Sequence, residues 1–291
     1  MKRKRISIFN ILNMLLFTLI VIACLYPFYY VIIYSISMPN QAYKVIIFPK
    51  GFSLQTYKTI FSLNDISGAF FISVARTLLG TTVTVIASSF FAYLMTKEEM
   101  FGRKIIYRFV IITMYLNAGL IPWYVTMKTY GLKDNFLLYI IPGAVSAYYM
   151  ILIKTYIESL PAALEESARI DGAGYIRVFR SIIFPLSKPI VATVAIYAAV
   201  GQWNTWTDNY FLVNKANLQT LQMILYNYLN QSQNIANISA QALTAGSSVV
   251  KITSMSIKMC ITVIVTVPII CVYPFMQRYF VKGIMMGAVK G

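Results

Sequence analysis

Six apolar stretches of this chain contain no charged residue and are long enough to cross a bilayer. The first covers residues 6–43, and the others have about 19 or 20 residues each: 77–96, 109–127, 135–153, 189–207 and 259–277. At 1.5 Å per residue, a helix of ~20 residues matches the roughly 30 Å of a hydrocarbon core. With 58% hydrophobic residues and a mean hydropathy of +0.67, the chain is predicted to be an all-α integral membrane protein with six transmembrane helices.

The whole chain, residues 1–291, is predicted to form one transmembrane domain. The bounds of its spans differ by some residues from the charge-free runs, because the apolar residues at each end were also considered. The predicted spans are 11–34, 68–96, 107–127, 135–154, 188–209 and 257–278. The first is too long for the apolar part of a signal peptide, so we expect an uncleaved helix. Pro27, Pro122, Pro142 and Pro268 are expected to kink their helices without breaking them.

Lysine and arginine are distributed unevenly between the predicted loops. With both ends of the chain inside, the inner segments hold 16 of these residues, and the outer segments hold 8 and no arginine. Cytoplasmic loops of membrane proteins carry such an excess. The bias predicts a multi-pass protein of the cell membrane with both termini in the cytoplasm. It also accounts for the net charge of +16 without nucleic-acid binding.

Several kinds of chemistry are excluded by the residues that the chain lacks. It has no histidine, and its three cysteines lie inside apolar runs. We therefore expect no catalytic residue, no metal site and no disulfide framework. No GxxxxGK[ST] phosphate-binding loop occurs either, so we expect that the chain is not an enzyme and does not hydrolyse ATP by itself.

The fourth and fifth spans are joined by the charge-dense segment ESLPAALEESARIDGAGYIRVFRSIIFPLSKP. Ser159 is expected to cap a first helix there, and Gly172 to end that helix in the left-handed conformation. A second helix over about 175–184 would be stopped at Pro185. The pattern predicts a cytoplasmic helical elbow over residues 158–187 with one apolar and one charged side.

The elbow also carries a motif of a known family. The residues concerned are Glu166, Ser167, Ala168, Gly172, Ile182 and Pro185. Their order resembles the "EAA" loop of permease subunits in binding-protein-dependent ABC importers: Glu-Ala-Ala, three residues, Gly, nine residues, Ile-x-Leu-Pro. Ser167 replaces the first Ala and Phe184 replaces the Leu. The flanking LEESARIDGA and IIFPLSKP are most similar to the carbohydrate branch, in which the maltose-type permease occurs.

The resemblance implies a subunit that imports a sugar or oligosaccharide by alternating access. It implies a second permease that forms a heterodimer, an extracytoplasmic solute-binding protein, and two ATPase subunits that bind ATP and Mg²⁺, with no cofactor in this chain. The residues implied to couple the elbow to the ATPase are Glu165, Glu166, Ser167, Ala168, Arg169, Asp171, Gly172 and Arg177. The alternatives are a stand-alone secondary transporter and an ABC permease for a non-sugar solute.

Polar and aromatic residues near the outer ends of two spans are candidates for the substrate path. Arg76 is an ionisable residue in the second span, which either lines the path or extends to the outer interface. Trp203, Asn204, Trp206 and Asp208 combine rings with polar groups that suit sugars. Tryptophan at the end of a span is also typical of the aromatic belt.

Two further segments have more than one interpretation. The outer loop 214–250 shows a helical period between Leu218 and Leu229, and it either lies along the outer membrane face or is a solvated loop. The resemblance implies that it reaches toward the solute-binding protein. The basic tail 277–291 is expected to anchor the last helix inside, and the resemblance adds a contact with the ATPase.

Overall fold

The computed structural model describes residues 8–63, 66–230 and 253–288, and these ranges are built from helices. The α-helices are α1 (Ile8–Ser35), α2 (Gln55–Leu63), α3 (Ile66–Leu94), α4 (Arg103–Tyr115), α5 (Leu120–Thr129), α6 (Ala147–Ile157), α7 (Ala163–Ile170), α8 (Tyr175–Leu186), α9 (Lys188–Asn204), α10 (Thr207–Leu212), α11 (Leu221–Asn230) and α12 (Ser254–Ala288). Short 3-10 turns cover Ala42–Lys44, Phe136–Tyr139 and Ala216–Leu218. The all-α class predicted from the sequence is confirmed.

Three helices are long and apolar enough to cross a membrane by themselves. They are α1, α3 and the part of α12 from Met255 to Val272. They overlap the first, second and sixth predicted spans. Helices α8 and α9 satisfy the same criterion as a pair, with a bend of 83° between them. The described helices therefore include several that suit a membrane, and the total of six spans stays a prediction.

The third, fourth and fifth predicted spans are broken helices. Four non-helical residues that end in Gly119, which has φ +83°, separate α4 from α5. The fourth span contains turns around Pro142 before α6 begins, so the prediction of a simple kink at Pro142 was wrong. In the fifth span, residues 205–206 separate α9 from α10. Charge-free composition does not reveal such breaks, because backbone at membrane depth can leave the helix where other protein groups satisfy it.

Contacts divide the chain into two compact units, which are described one at a time. The first comprises Met1–Ile66 and Leu225–Val267. Within it, α1 buries only its last turn, and the side chains before Ile33 are mostly exposed. Ser35 links this turn to other parts of the unit, since its Oγ accepts a hydrogen bond from Tyr57 Oη at 2.8 Å. An apolar helix exposed along most of its length is suited to contact with lipid.

The second unit comprises Ser67–Ile224 and Pro268–Gly291, and it contains both candidate sites. Its largest core lies around the C-terminal end of α3, where Tyr93 and Met95 are buried together with Met150 and Ile153 of α6 and Val178 of α8. The elbow is thus part of the same core as α3.

The elbow has the predicted turn but different helix ends. Gly172 ends α7 with φ +80°, as expected. Ser159 is not the N-cap, because its Oγ donates to the Tyr156 carbonyl at 2.6 Å and α7 begins later, after Ala162. Nor does Pro185 stop α8. A π-helical turn, Phe179–Ile183, precedes it, so Pro185 lies at the start of a new helical turn, where the missing N–H is tolerated.

The outer loop contains part of the helix that its periodicity predicted. Helix α11 covers Leu221–Asn230, and Leu221, Met223 and Ile224 are buried. The rest of the loop, residues 231–250, lies outside the described residues. The same is true of the basic residues before Ile8 and of the last three residues of the tail.

Candidate coupling elbow and substrate pocket

An ion pair joins the elbow to the turn that follows α3. Lys97 Nζ pairs with Glu165 Oε2, and the two side chains are only 11% and 17% exposed. Tyr93 Oη donates to Glu165 Oε1 at 3.2 Å, and the Lys97 ammonium lies 4.3 Å from the centroid of the Tyr93 ring. Glu165 therefore points inward, toward α3.

A second ion pair lies beside the first and is more exposed. Arg169 Nη1 donates to Glu99 Oε1 at 2.8 Å, and Tyr175 Oη donates to Glu99 Oε2 at 3.0 Å. Arg169 Nη2 also donates to Tyr175 Oη at 3.1 Å. The hydrogen bonds from Arg169 and Tyr175 hold the pKa of Glu99 below its ordinary value, so the carboxylate stays ionised at neutral pH.

Most of the other predicted coupling residues lie on the exposed side of the elbow. The exposed residues are Glu166, Ser167, Asp171, Gly172 and Arg177. Ala168 is half-buried against the core around α3. Sequence reasoning missed two apolar side chains in this segment, Ile170 and Ile176, which are 86% and 71% exposed. An elbow that carries both charged and apolar groups on its open side offers a surface suited to a protein partner.

The predicted substrate-path residues Arg76 and Asp208 form a buried ion pair. They are 3% and 8% exposed, and Arg76 donates to both carboxylate oxygens. The distances are 3.1 Å from Nη1 to Oδ1 and 2.5 Å from Nη2 to Oδ2. Arg76 therefore does not extend to an interface, which was one of the two interpretations of the sequence. A buried charge is tolerated when it is paired and hydrogen-bonded in this way.

Three further residues, none of them among the predicted site residues, complete the surroundings of Arg76. Its Nε donates to Gln202 Oε1 at 3.1 Å, and its Nη1 also donates to the Thr205 carbonyl at 3.0 Å. The guanidinium carbon lies 4.6 Å from the centroid of the Tyr139 ring. Because Thr205 lies in the break between α9 and α10, Arg76 satisfies a carbonyl at a helix end. The arginine in α3 thus stabilises the break.

A cavity of about 320 Å³ opens beside this ion pair. Its wall combines the polar groups of Arg76, Asp208 and Gln202 with the aromatic rings of Trp123 and Tyr149. It also includes the turns around Pro142, which the break in the fourth predicted span creates. Rings that can stack and amide or charged groups that can hydrogen-bond are what a pocket for a polar, ring-shaped molecule needs.

The other three predicted substrate-path residues lie elsewhere. Trp203 packs edge to face on Phe70, with ring centroids 6.4 Å apart, and lines a separate apolar cavity of about 230 Å³. Asn204 is exposed, and its Oδ1 accepts a hydrogen bond from Gln222 at 3.0 Å. Trp206 packs on Tyr210. The structure therefore brings only Arg76 and Asp208 together at the polar cavity.

Known proteins similar to this chain are membrane components of importers. The family described as "binding-protein-dependent transport system inner membrane component" matches residues 84–286. The polygalacturonan/rhamnogalacturonan transport system permease protein YtcP of Bacillus subtilis (strain 168) is 34% identical over 280 residues, 96% of this chain and 96% of that protein. The maltodextrin transport system permease protein MdxG of the same organism is 27% identical over 292 residues, covering 97% and 96%.

A solved structure agrees with these sequence relatives. One chain of a bacterial ABC transporter involved in the import of the acidic polysaccharide alginate has a TM-score of 0.85 to this chain at 28% identity, covering 96% of this chain and 99% of that one. The family match extends over more than half of the sequence and includes the whole elbow. The chain therefore belongs to the family of inner membrane permease components of binding-protein-dependent ABC importers.

Proposed function

We propose that this chain is the permease subunit of an importer that moves a sugar or oligosaccharide into the cytoplasm by alternating access. The observation that carries the proposal is the match over nearly the whole chain to permeases named for polygalacturonan, rhamnogalacturonan and maltodextrin transport. The importer structure named for alginate also supports a saccharide. The six spans and the cytoplasmic position of both termini belong to the same proposal.

The cavity beside Arg76 and Asp208 is the proposed part of the substrate path in this subunit. The C–H face of a sugar ring can stack on Trp123 or Tyr149, both of which line the cavity. Its hydroxyl groups can hydrogen-bond to the Gln202 amide, which lines the same space. Arg76 and Asp208 compensate each other's charge and keep the wall in place.

The partners follow from the family and from the exposed side of the elbow. Separate ATPase subunits, which bind ATP and Mg²⁺, would dock on the elbow through Glu166, Ile170 and Ile176, which are exposed in this chain. A second permease would complete the path, and a solute-binding protein would deliver the sugar outside. The heterodimer and the pair of ATPases rest on the resemblance alone.

A transport experiment tests this function. The chain, its partner permease, the ATPase and the solute-binding protein from the same genome are reconstituted in vesicles, and uptake of neutral and uronic oligosaccharides is measured. We expect uptake that requires both ATP and the binding protein. Uptake by this chain alone, driven by a proton or sodium gradient, would contradict the proposal and support a secondary transporter. ATP-dependent uptake of amino acids or peptides but of no saccharide would contradict the assignment to sugars.

The Gly80→Ala variant tests the role of the cavity. A Cβ atom at Gly80 of α3 would lie 2.6 Å from Gln202 Nε2 and 2.8 Å from its Cδ, so the amide must move away from Arg76. We expect uptake in the vesicle assay to fall about tenfold, which corresponds to about 1.4 kcal/mol. Leu79→Ala, at the neighbouring position of α3, is the control, since Leu79 is 49% exposed and does not line the cavity. Equal uptake by the two variants would remove Gln202 from the substrate path.

A further inference from the structure

Helix α3 is the one described helix that contributes both to the elbow's ion pair and to the polar cavity. Tyr93 contacts Glu165 near its inner end, and Arg76 contacts Asp208 nearer its other end. The 17 residue-to-residue steps from Arg76 to Tyr93 correspond to ~25 Å along a helix. Residues 66–94 form one continuous helix, which contains no proline. A movement imposed at one end is therefore carried to the other.

Side-chain hydrogen bonds attach α3 to the wall of the cavity at two levels. Thr84 Oγ1 donates to the Gly143 carbonyl at 2.7 Å. One turn further, Ser88 Oγ accepts from the Ser146 amide at 3.2 Å. Both bonds reach the non-helical turns before α6, and Gly143 and Ser146 line the cavity. If α3 moves, these two bonds pull the cavity wall with it, so the shape of the cavity changes.

Aromatic packing and charge attach α3 to the elbow. The ring of Phe179 in α8 lies 5.3 Å from Phe90 and 5.6 Å from Tyr93, measured between centroids. These ring contacts orient the two elements but add no attraction between opposite charges. The ion pair between Lys97 and Glu165 is directional and poorly exposed, so it fixes the register of the elbow on α3.

The turn that carries Lys97 is itself held in place. The Lys97 amide donates to the Leu94 carbonyl at 3.0 Å, which continues the last turn of α3. Arg103 Nη1 donates to the Thr96 carbonyl at 3.1 Å and closes the same turn from the side of α4. The backbone of Lys97 is therefore fixed to the end of α3, so a displacement of its ammonium group is transmitted to the helix.

We propose that Lys97 and Glu165 are positioning residues that tie the elbow to α3, so that elbow movement reaches the polar cavity through α3 as a rigid strut. The proposal rests on the coupling function proposed above. Two adjacent acids then have different roles. Glu165 forms an ion pair within this chain, whereas Glu166 is exposed and can contact the ATPase. The pair of Glu99 and Arg169 is a second, more exposed tie beside the first.

A double-mutant cycle in the reconstituted assembly tests the tie. The variants are Lys97→Ala, Glu165→Ala, the double alanine variant, and the charge swap Lys97→Glu with Glu165→Lys. Each is assayed for co-purification of the ATPase, for its ATP hydrolysis, and for the stimulation of that hydrolysis by sugar-loaded binding protein. Glu158→Ala is the matched control, because Glu158 also pairs with a lysine, Lys154, but within one helical turn and 2.5 Å away.

We expect both single variants to keep the ATPase bound while the stimulation falls about tenfold. The double alanine variant should lose no more than either single variant, since coupled residues are not additive, and the charge swap should recover most of the stimulation. Glu158→Ala should behave as the native protein. Native stimulation in Glu165→Ala, or a charge swap no better than the single variants, would overturn the inference. An unstimulated native assembly would instead overturn the proposed function, and the inference with it.

Discussion

The Asp208→Asn variant is expected to be much less stable than the native protein. Asp208 accepts from both Nη atoms of Arg76, and both residues are buried. Removing one member of a buried ion pair leaves the other charge uncompensated, which costs about 3–5 kcal/mol. The loss should appear as a lower midpoint of thermal unfolding in detergent, and as a smaller yield of monodisperse protein.

Two further variants show whether the effect comes from the unpaired charge. The double variant Arg76→Gln with Asp208→Asn removes both charges, so it should recover a large part of the midpoint lost by Asp208→Asn alone. Asp171→Asn is the matched control, because Asp171 is exposed on the elbow, and its midpoint should equal that of the native protein. If Asp208→Asn unfolds at the native temperature, the pair does not stabilise the folded protein.

Much of the fold could be predicted because composition and glycine chemistry report on it directly. The long apolar runs predicted α1, α3 and α12, and Gly172 predicted the turn of the elbow. The breaks near Gly119, Pro142 and Thr205 could not be predicted. The breaks near Pro142 and Thr205 depend on partners far along the chain that satisfy the freed backbone, as Arg76 does for the Thr205 carbonyl. A count of charges within one segment carries no information about such partners.

The candidate site was predictable residue by residue but not as an arrangement. Arg76 was conspicuous as a charge inside a span and Asp208 as an acid beside aromatic residues, but 132 positions separate them. Gln202 directly precedes this aromatic and polar group in the sequence, but nothing in the sequence shows that its amide accepts a hydrogen bond from Arg76. Glu165 and Glu166 look alike in the sequence, and only the fold shows that Glu165 turns inward. Pairings of this kind depend on tertiary packing.

Two exposed apolar residues of the elbow, Ile170 and Ile176, are expected to contribute strongly to binding of the ATPase. A side chain that is 86% exposed, as Ile170 is, contributes almost nothing to the packing of this chain. Ile176 is the other large apolar residue of the elbow that is mostly exposed. A few residues at the centre of an interface carry most of the binding energy and cost about 2 kcal/mol or more when they are truncated. An aspartate at position 170 should therefore leave the subunit intact and act only on its association with the ATPase.

We expect Ile170→Asp to reduce the affinity for the ATPase at least tenfold, because a buried interface would then contain an unpaired carboxylate. The measurement is the amount of ATPase that co-purifies with the tagged chain over a range of ATPase concentrations, together with the unfolding midpoint of the chain alone. Ile170→Leu keeps the apolar volume and should bind as the native protein does. Tyr130→Asp, an equally drastic change at an exposed position before Gly131, should not weaken association, since the predicted topology puts it outside. Full co-purification of Ile170→Asp would show that the ATPase does not cover Ile170, and the docking surface would then have to exclude this side of the elbow.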